Sequence, residues 1–192
     1  MVEKRQFLLS EQATQFFCGI IFHQHISLDG VLKRLIEAFG PISLMSDIWP
    51  FTHIEYYFSE MGRPLFKVFA AFSHLQPSAD LPHAKNRCIQ LEQYWKENGN
   101  RRVNLDIGYL TDAKVVLATT KNQQHRLFLG NDIFGEVTLK YQRKSFGPYE
   151  WTYPDFCTEA YIDFFNLLRN HYFRVMRGVL HGKKTENTKT SR

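Results

Sequence analysis

Apolar residues in the first half of the chain follow two different spacings. Aromatic and β-branched runs, typical of buried strands, occupy residues 15–23, 42–49, 65–72 and 103–109. Apolar positions at helical spacing run from Leu28 to Phe39 and again from Pro82 to Asn98. The resulting order, β-α-β-β-α-β, predicts an α+β fold with a ferredoxin-like core, in which two helices cover one face of an antiparallel sheet.

The second half of the chain extends this core. Residues 111–119 have the pattern of a short helix, and strand patterns cover residues 126–129, 136–142 and 149–153. An apolar stripe at helical spacing then predicts a long helix from about Thr158 to Val179. The predicted C-terminal extension therefore consists of extra strands and a long final helix.

Composition separates a central body from two polar ends. Residues 1–14 form a polar lead, residues 15–181 are expected to form one α+β domain, and residues 182–192 are expected to be a disordered basic tail without apolar side chains. The tail has four basic residues and one acidic residue, so the net charge of +5 leaves only +2 for residues 1–181. This near-neutral body argues against a nucleic-acid partner.

The sequence also bears on membranes and on redox environment. No apolar run reaches the roughly 18 residues that span a bilayer, and the first residues turn polar too early for a secretory signal, so we expect no membrane partner. Cys18, Cys88 and Cys157 lie far apart without the spacing of metal ligands. We expect them to be buried free thiols, which predicts a cytoplasmic location.

Polar residues are densest between Arg101 and Arg126. If the apolar residues of the strand at 103–109 face the core, alternation puts Arg102, Asn104 and Asp106 together on the opposite face. Guanidinium and ammonium groups bind phosphate and carboxylate, so we predict a site for a small anionic ligand on this polar sheet face. The predicted ligand-binding residues are Arg102, Asn104, Asp106, Tyr109, Lys121, His125 and Arg126. The alternative is that Arg102 and Asp106 pair with each other on a solvated sheet face.

A second polar group supplies the candidates for catalysis. In an extended segment His53 and Glu55 would share one face with Tyr57, and Asp106 and Glu136 would add carboxylates. Imidazole and carboxylate are the groups that acid–base chemistry uses. One histidine with three acids is compatible with a divalent-metal site but does not require one, and because the sequence has no metal-ligand spacing such as HExxH, no metal ligands are assigned. Neither a cofactor nor a reaction type follows from these residues.

The string Trp151-Thr152-Tyr153-Pro154-Asp155 has two interpretations. Its aromatic rings could stack on a base or a sugar. Alternatively, they could clamp the final helix, with Pro154 and Asp155 setting the start of that helix.

The alternative function is a non-enzymatic interaction module that contacts RNA or a protein partner through the sheet and the basic tail. The chain lacks the RNP-type pattern of aromatic residues that stacks on RNA bases. The oligomeric state does not follow from the sequence.

Several segments resemble a prokaryotic family of uncharacterised proteins, the domain of unknown function 4416. The resembling stretches are FGPISLMSDIWPFTHIEYYFSEMGRPL, RRVNLDIGYLTDAKVVLATTK, HRLFLGNDIFGEVTLKY and WTYPDF. One departure is Ile107, where the family usually has proline. The resemblance implies no established activity, and this chain has no GxxxxGK[ST] loop to hold a nucleotide phosphate.

Overall fold

Among the residues that the structure describes, nine antiparallel strands form one sheet, and helices cover both of its faces. The computed structural model describes residues 13–52 and 55–187. In chain order, the elements are β1 (Ala13–His23), α1 (Leu28–Phe39), β2 (Ile42–Met45), β3 (Trp49–Phe51), α2 (Glu55–Met61), β4 (Leu65–Pro77), α3 (Leu81–Glu92), β5 (Lys96–Glu97), β6 (Asn100–Arg101), β7 (Val103–Leu110), β8 (Lys114–Thr119), β9 (Leu127–Gly130), β10 (Ile133–Gln142), β11 (Ser145–Pro148) and α4 (Glu159–Asn187). The predicted α+β class is confirmed.

The strands of the sheet follow the order β11-β10-β8-β7-β1-β4-β2. In addition, β3 pairs with β4 and β9 pairs with β10, whereas β5 and β6 form a separate hairpin. The four segments predicted as core strands correspond to β1, β2, β4 and β7, and these lie side by side. β1 is central, because it pairs with β4 along one edge and with β7 along the other.

The two faces of the sheet bury different helices. α1 and α3 pack on one face, where Val31, Leu35 and Cys88 meet Cys18 and other residues of β1, β4 and β7. α4 packs on the opposite face, against the ring cluster around Phe69. Since β1 is covered on both sides, its sequence is apolar at nearly every position, as expected of a strand buried on both faces.

Two predicted helices differ from the structure. The segment predicted as a helix at 111–119 is β8, because residues 111–114 form a tight turn, closed by a 2.9 Å hydrogen bond from the Thr111 N–H to the Lys114 carbonyl oxygen. The following valines then pair with β10. The second helix was predicted to reach Asn98 but ends at Glu92. The residues after it form the β5–β6 hairpin, whose turn lies at Asn98 and Gly99, both of which have positive φ.

Two of the predicted strands also differ from the structure. The strand predicted at 42–49, with a continuation toward Tyr57, is divided into β2 and β3, and residues 55–61 form α2. The strand predicted at 149–153 is a turn, and the strand before it is β11.

The C-terminal helix is longer than its apolar stripe indicated. α4 continues past Val179 to Asn187, so that it includes the first residues of the predicted tail, and residues 188–192 lie outside the described part of the chain. Within that part, no helix is both long enough and apolar enough to cross a membrane. Cys18 and Cys88 are buried as predicted, whereas Cys157 is exposed.

β7 and β8 approach each other closely only near the turn that joins them. Their ladder runs from Gly108 to Leu110 on β7 and from Val115 to Leu117 on β8. From there β8 continues along β10. A Cβ atom at Gly108 would overlap the Val116 carbonyl oxygen and lie 2.9 Å from the Phe17 ring. The absence of a side chain at Gly108 therefore allows the two strands to meet at this point.

We expect Gly108→Ala to lower the free energy of unfolding by about 3 kcal/mol, the upper end of the usual cost of overpacking, because a main-chain carbonyl cannot rotate aside. Urea denaturation measures this loss. The matched control is Gly147→Ala in β11, where an added Cβ would meet nothing within 4 Å. The control should change stability by less than about 1 kcal/mol. Equal urea midpoints for Gly108→Ala and Gly147→Ala would contradict the close approach of β7 and β8.

Candidate functional site

Two charged side chains of α3 occupy the place of a neighbouring strand beside β7. Lys85 Nζ donates to the Leu105 carbonyl oxygen at 2.8 Å, and Glu92 Oε1 accepts the Leu105 N–H at 2.8 Å. Both side chains are buried. A main-chain group in such a position must be paired, because leaving it buried and unpaired is costly. Helix α3 thus allows β7 and β8 to separate.

A cavity of about 370 Å³ lies where the two strands separate. Its apolar wall includes Ile21, Phe51, Leu117 and Phe156. The charged residues that line it are Lys67, Lys85, Glu92, Arg101, Asp106, Lys121, Glu136 and Asp155, and the tyrosines are Tyr56, Tyr57 and Tyr153. The volume is at the lower end of the range of about 300–1,000 Å³ that is typical of small-molecule sites.

Register across β1 places polar residues of β4 and β7 on the same face of the sheet. Ile21 lies opposite Lys67 on β4 and opposite Asn104 on β7, so the three side chains form one row on the same face. Gly19 lies in the next row, opposite Asp106. A Cβ atom on Gly19 would come within 3.0 Å of the Phe69 ring and 3.5 Å of Lys67 Cε. This glycine therefore leaves room for the ring of Phe69, and the Lys67 ammonium lies 5.3 Å from the centroid of that ring.

Lys67 and Asp155 form a deeply buried ion pair in the wall of the cavity. Lys67 Nζ donates to Asp155 Oδ2 at 2.6 Å, and each side chain is only 2% exposed. The ammonium group also lies 4.6 Å from the centroid of the Phe156 ring and 5.3 Å from that of Phe69. The second carboxylate oxygen, Asp155 Oδ1, is buried and has no hydrogen-bond partner among the described residues.

Arg101 holds three groups at one side of the cavity. It donates to Glu60 through Nε at 2.7 Å and through a second nitrogen at 2.8 Å, and its remaining nitrogen reaches Asn104 Oδ1 at 2.8 Å and Glu92 at 3.2 Å. The hydrogen bonds from Arg101 lower the pKa of Glu60, although partial burial of that carboxylate opposes the shift. Asn104 in turn donates to Asp106 at 2.8 Å. The geometry commits the donors of Arg101 to protein groups.

Arg126 holds the opposite side in the same way. It donates to Glu136 at 2.6 Å, to the Tyr153 hydroxyl at 2.8 Å and to the Lys121 carbonyl oxygen at 2.9 Å. The Nε2 atom of His125 also lies 3.1 Å from Glu136. Arg126 therefore fixes both Glu136 and Tyr153 at the cavity wall.

Two tyrosine hydroxyls of the cavity remain protonated at physiological pH. Burial raises the pKa of Tyr57, and the negative charge of Asp106 adds to this effect. Burial also raises the pKa of Tyr153, although Arg126 partly opposes the shift. Both side chains can therefore donate as well as accept a hydrogen bond.

The outer rim of the cavity is formed by two elements. Lys121 follows β8 and Tyr56 belongs to α2, and the Lys121 ammonium lies 4.8 Å from the centroid of the Tyr56 ring. Both residues are exposed. Lys121 thus places a positive charge where a ligand would enter.

The structure brings some of the predicted site residues together. Asn104, Asp106, Lys121 and Glu136 line the cavity. His125 and Arg126 lie directly behind Glu136 and support it.

Other predicted residues lie elsewhere. Tyr109 faces the α1–α3 side of the sheet and stacks on Phe16. Glu55 begins α2 and forms an exposed ion pair with Arg63, so the extended grouping of Glu55 with Tyr57 is wrong. His53 lies outside the described residues.

Arg102 also points away from the cavity, because the chain bends there before β7 begins. Its guanidinium donates to Glu97 at 3.0 Å and to the Met61 carbonyl oxygen at 2.8 Å. The alternative that Arg102 pairs with Asp106 is wrong, since Asp106 instead contacts Lys85 at 3.5 Å and accepts from Asn104.

Sequence reasoning missed Lys67, Lys85, Glu92, Arg101 and Asp155. A signal existed for two of them, because Lys85 and Glu92 flank the apolar stripe of α3 at positions i and i+7 around the buried Cys88. Lys67 and Asp155 lie on distant segments, so no local spacing connects them.

The string at residues 151–155 serves both the cavity and the final helix. Tyr153 and Asp155 line the cavity, and Asp155 lies in the 3-10 helix that leads into α4. Trp151 stacks between its neighbours, with its ring 4.7 Å from Tyr149 and 5.4 Å from His125. Within residues 13–52 and 55–187, no group of three or more His, Cys, Asp or Glu side chains is arranged to hold a metal ion.

We expect Lys67→Met to lower the free energy of unfolding by about 3–5 kcal/mol, because it leaves the Asp155 carboxylate buried without its partner. Chemical denaturation measures the loss. The double variant Lys67→Met/Asp155→Leu removes both charges and should recover most of the stability, since two apolar side chains of similar volume can replace a buried ion pair. A double variant less stable than Lys67→Met would contradict this account.

Comparison with known proteins gives one match. The model of the family described as domain of unknown function (DUF4416) matches residues 12–172. No curated protein and no solved structure matches the chain. The matched region includes the strands β1 to β11 and every residue named above as lining the cavity. The resemblance seen in the sequence is confirmed, and the chain belongs to the DUF4416 family.

Proposed function

We propose that this protein binds a small anionic ligand, phosphorylated or carboxylated, in the cavity between β7 and β8. One observation carries the proposal: the lysines of the cavity keep unused N–H donors, whereas most of its carboxylate oxygens are already hydrogen-bonded. Each lysine ammonium has three donors. Lys67 uses one on Asp155, and Lys85 uses one on Leu105 and approaches Asp106 at 3.5 Å. Lys121 lies at the rim in contact with an aromatic face.

The carboxylates of the cavity have less capacity left. Glu92 accepts from Leu105 and Arg101, Glu136 accepts from Arg126, and Asp106 accepts from Asn104. Arg101 and Arg126 balance Glu92 and Glu136, and Lys85 lies 3.5 Å from Asp106, which reduces the repulsion that an incoming anion would meet. In this proposal the lysines contact the ligand through the N–H donors that their contacts with protein groups leave unused.

We also infer that β1, α1, β2, β4, α3 and β7 correspond to a ferredoxin-like core. The strand order β7-β1-β4-β2, the antiparallel pairing and the placement of α1 and α3 on one face support this inference. β3 and α2 are then an insertion between the second and third strands of that core. Both insertion elements contribute residues to the cavity.

The alternative of an RNA-binding module receives less support from this arrangement. RNA-binding domains with a four-stranded sheet stack bases on aromatic side chains of an open sheet face. Here α1 and α3 cover one face and α4 covers the other. A small ligand in the cavity is the function that the geometry favours.

A thermal-shift screen of inorganic phosphate, pyrophosphate, ribose 5-phosphate, citrate and D-gluconate tests the proposal. A bound anion at about 100 times its Kd should add about 2.7 kcal/mol of stability. Lys121→Met should weaken binding of the best anion about tenfold or more, because a charge-assisted contact of about 1.5–3 kcal/mol is lost.

The matched control for this test is Lys114→Met at the other end of β8, an exposed lysine that does not line the cavity. Its affinity for the same anion should equal that of the wild type. The proposal fails if none of the five anions binds, or if the two variants lose affinity equally.

A further inference from the structure

The buried Lys67–Asp155 pair in the cavity wall presents one donor and one acceptor side by side. Asp155 Oδ2 accepts from Lys67, whereas Asp155 Oδ1 is buried without a hydrogen-bond partner among the described residues. The Lys67 ammonium has three N–H donors, of which the contact with Asp155 uses one. A buried carboxylate oxygen without a partner is costly, and nearly all such groups in proteins are paired. The cavity therefore favours a ligand that supplies a donor at this point.

A hydroxyl group fits this position better than an ammonium group. A hydroxyl can donate to Asp155 Oδ1 and at the same time accept from Lys67. A ligand ammonium on Asp155 Oδ1 would lie close to the Lys67 ammonium, which is only 2.6 Å from the other oxygen of the same carboxylate. Two like charges at that distance in a buried site repel each other strongly.

The surrounding wall suits a ligand with several hydroxyl groups on a short carbon chain. Phe51 and Phe156 supply apolar contact, and the hydroxyls of Tyr57 and Tyr153 lie among the polar groups of the same cavity. Because burial raises the pKa of each tyrosine, these hydroxyls stay neutral and can both donate and accept. A volume of about 370 Å³ accommodates a small ligand of this kind.

We propose that the ligand is a hydroxylated anion, such as a sugar phosphate or a sugar acid, with one hydroxyl held between Lys67 and Asp155 Oδ1. The inference rests on the proposed binding of an anion in this cavity and adds the chemical class of that anion. The anionic group lies toward Lys85 and Lys121, and the hydroxylated chain lies toward the Lys67–Asp155 pair.

Two matched pairs of probes test the inference by isothermal titration calorimetry on the full chain. Ribose 5-phosphate is compared with n-pentyl phosphate, and D-gluconate with hexanoate, so that each pair keeps the anionic group and differs in hydroxyls. We expect the hydroxylated member of at least one pair to bind ten times more tightly or better. The pair that shows the difference distinguishes a sugar phosphate from a sugar acid.

The double variant Lys67→Met/Asp155→Leu supplies the second measurement. It removes the donor and the acceptor together and keeps Lys85 and Lys121. The preference for the hydroxylated probe over its matched probe should therefore fall to about twofold or less. An unchanged preference in this variant would overturn the placement of the hydroxyl. If the variant does not fold, the wild-type comparison decides alone.

The remaining outcomes separate the inference from the proposed function. If n-pentyl phosphate and hexanoate bind as tightly as ribose 5-phosphate and D-gluconate, or more tightly, the inference is overturned and anion binding stands. Water would then donate the hydrogen bond to Asp155 Oδ1. Tighter binding of 5-aminopentyl phosphate than of ribose 5-phosphate would overturn it in favour of a cationic group. Failure of all five probes to bind would overturn the inference, and the proposed function would fail with it only if phosphate, pyrophosphate and citrate also did not bind.

Discussion

The hydrogen bonds that Lys85 and Glu92 make to the main chain of Leu105 are the interaction on which the cavity depends. In a continuous sheet, the N–H and carbonyl groups of Leu105 would pair with the next strand. Here a lysine and a glutamate from α3 make both bonds at 2.8 Å, and β8 is free to leave β7 and follow β10. Burial opposes the charged form of Lys85, yet the carboxylates of Asp106 and Glu92 outweigh it and the pKa of Lys85 is raised. The opening in the sheet is thus held by charged groups that cannot be exchanged for apolar ones without leaving main-chain groups unpaired.

The charges around this opening are arranged in pairs that span different elements. Arg101 joins α2, α3 and β7 through Glu60, Glu92 and Asn104, and Arg126 joins the segment after β8 to β10 through Glu136. Lys67 joins β4 to the 3-10 helix before α4 through Asp155. Separating the partners of a buried ion pair leaves two charges buried and unpaired, which is strongly destabilising. Each pair therefore also fixes the relative position of the elements that it joins. The buried charged groups of the cavity wall are therefore held in place by their partners, and this suits a site that must hold a small polar ligand in one orientation.

Hydrophobic spacing predicted the elements that depend on local pattern. β1 and α1 were predicted to within two residues because each has a strong period and clear ends. β8 was mistaken for a helix, since Thr111 and Asp112 resemble a helix start and only pairing with β10 makes the segment extended. Alternation selected Arg102 for the site, but after a bend before β7 Arg102 pairs with Glu97, and it is Arg101 that lines the cavity. The Lys67–Asp155 pair leaves no trace in local sequence, because its members are 88 positions apart.

The central position of β1 has a consequence for how the chain reaches this fold. β1 is made early, yet its partners β4 and β7 begin only at residues 65 and 103. Pairing between such distant segments is slow, because a long loop must close before any contact forms. Until then, an apolar strand that the finished protein covers on both faces is open to association with other chains. Folding during synthesis would therefore favour prompt packing of α1 against β1, since α1 follows directly and buries Val31 and Leu35 on the same core.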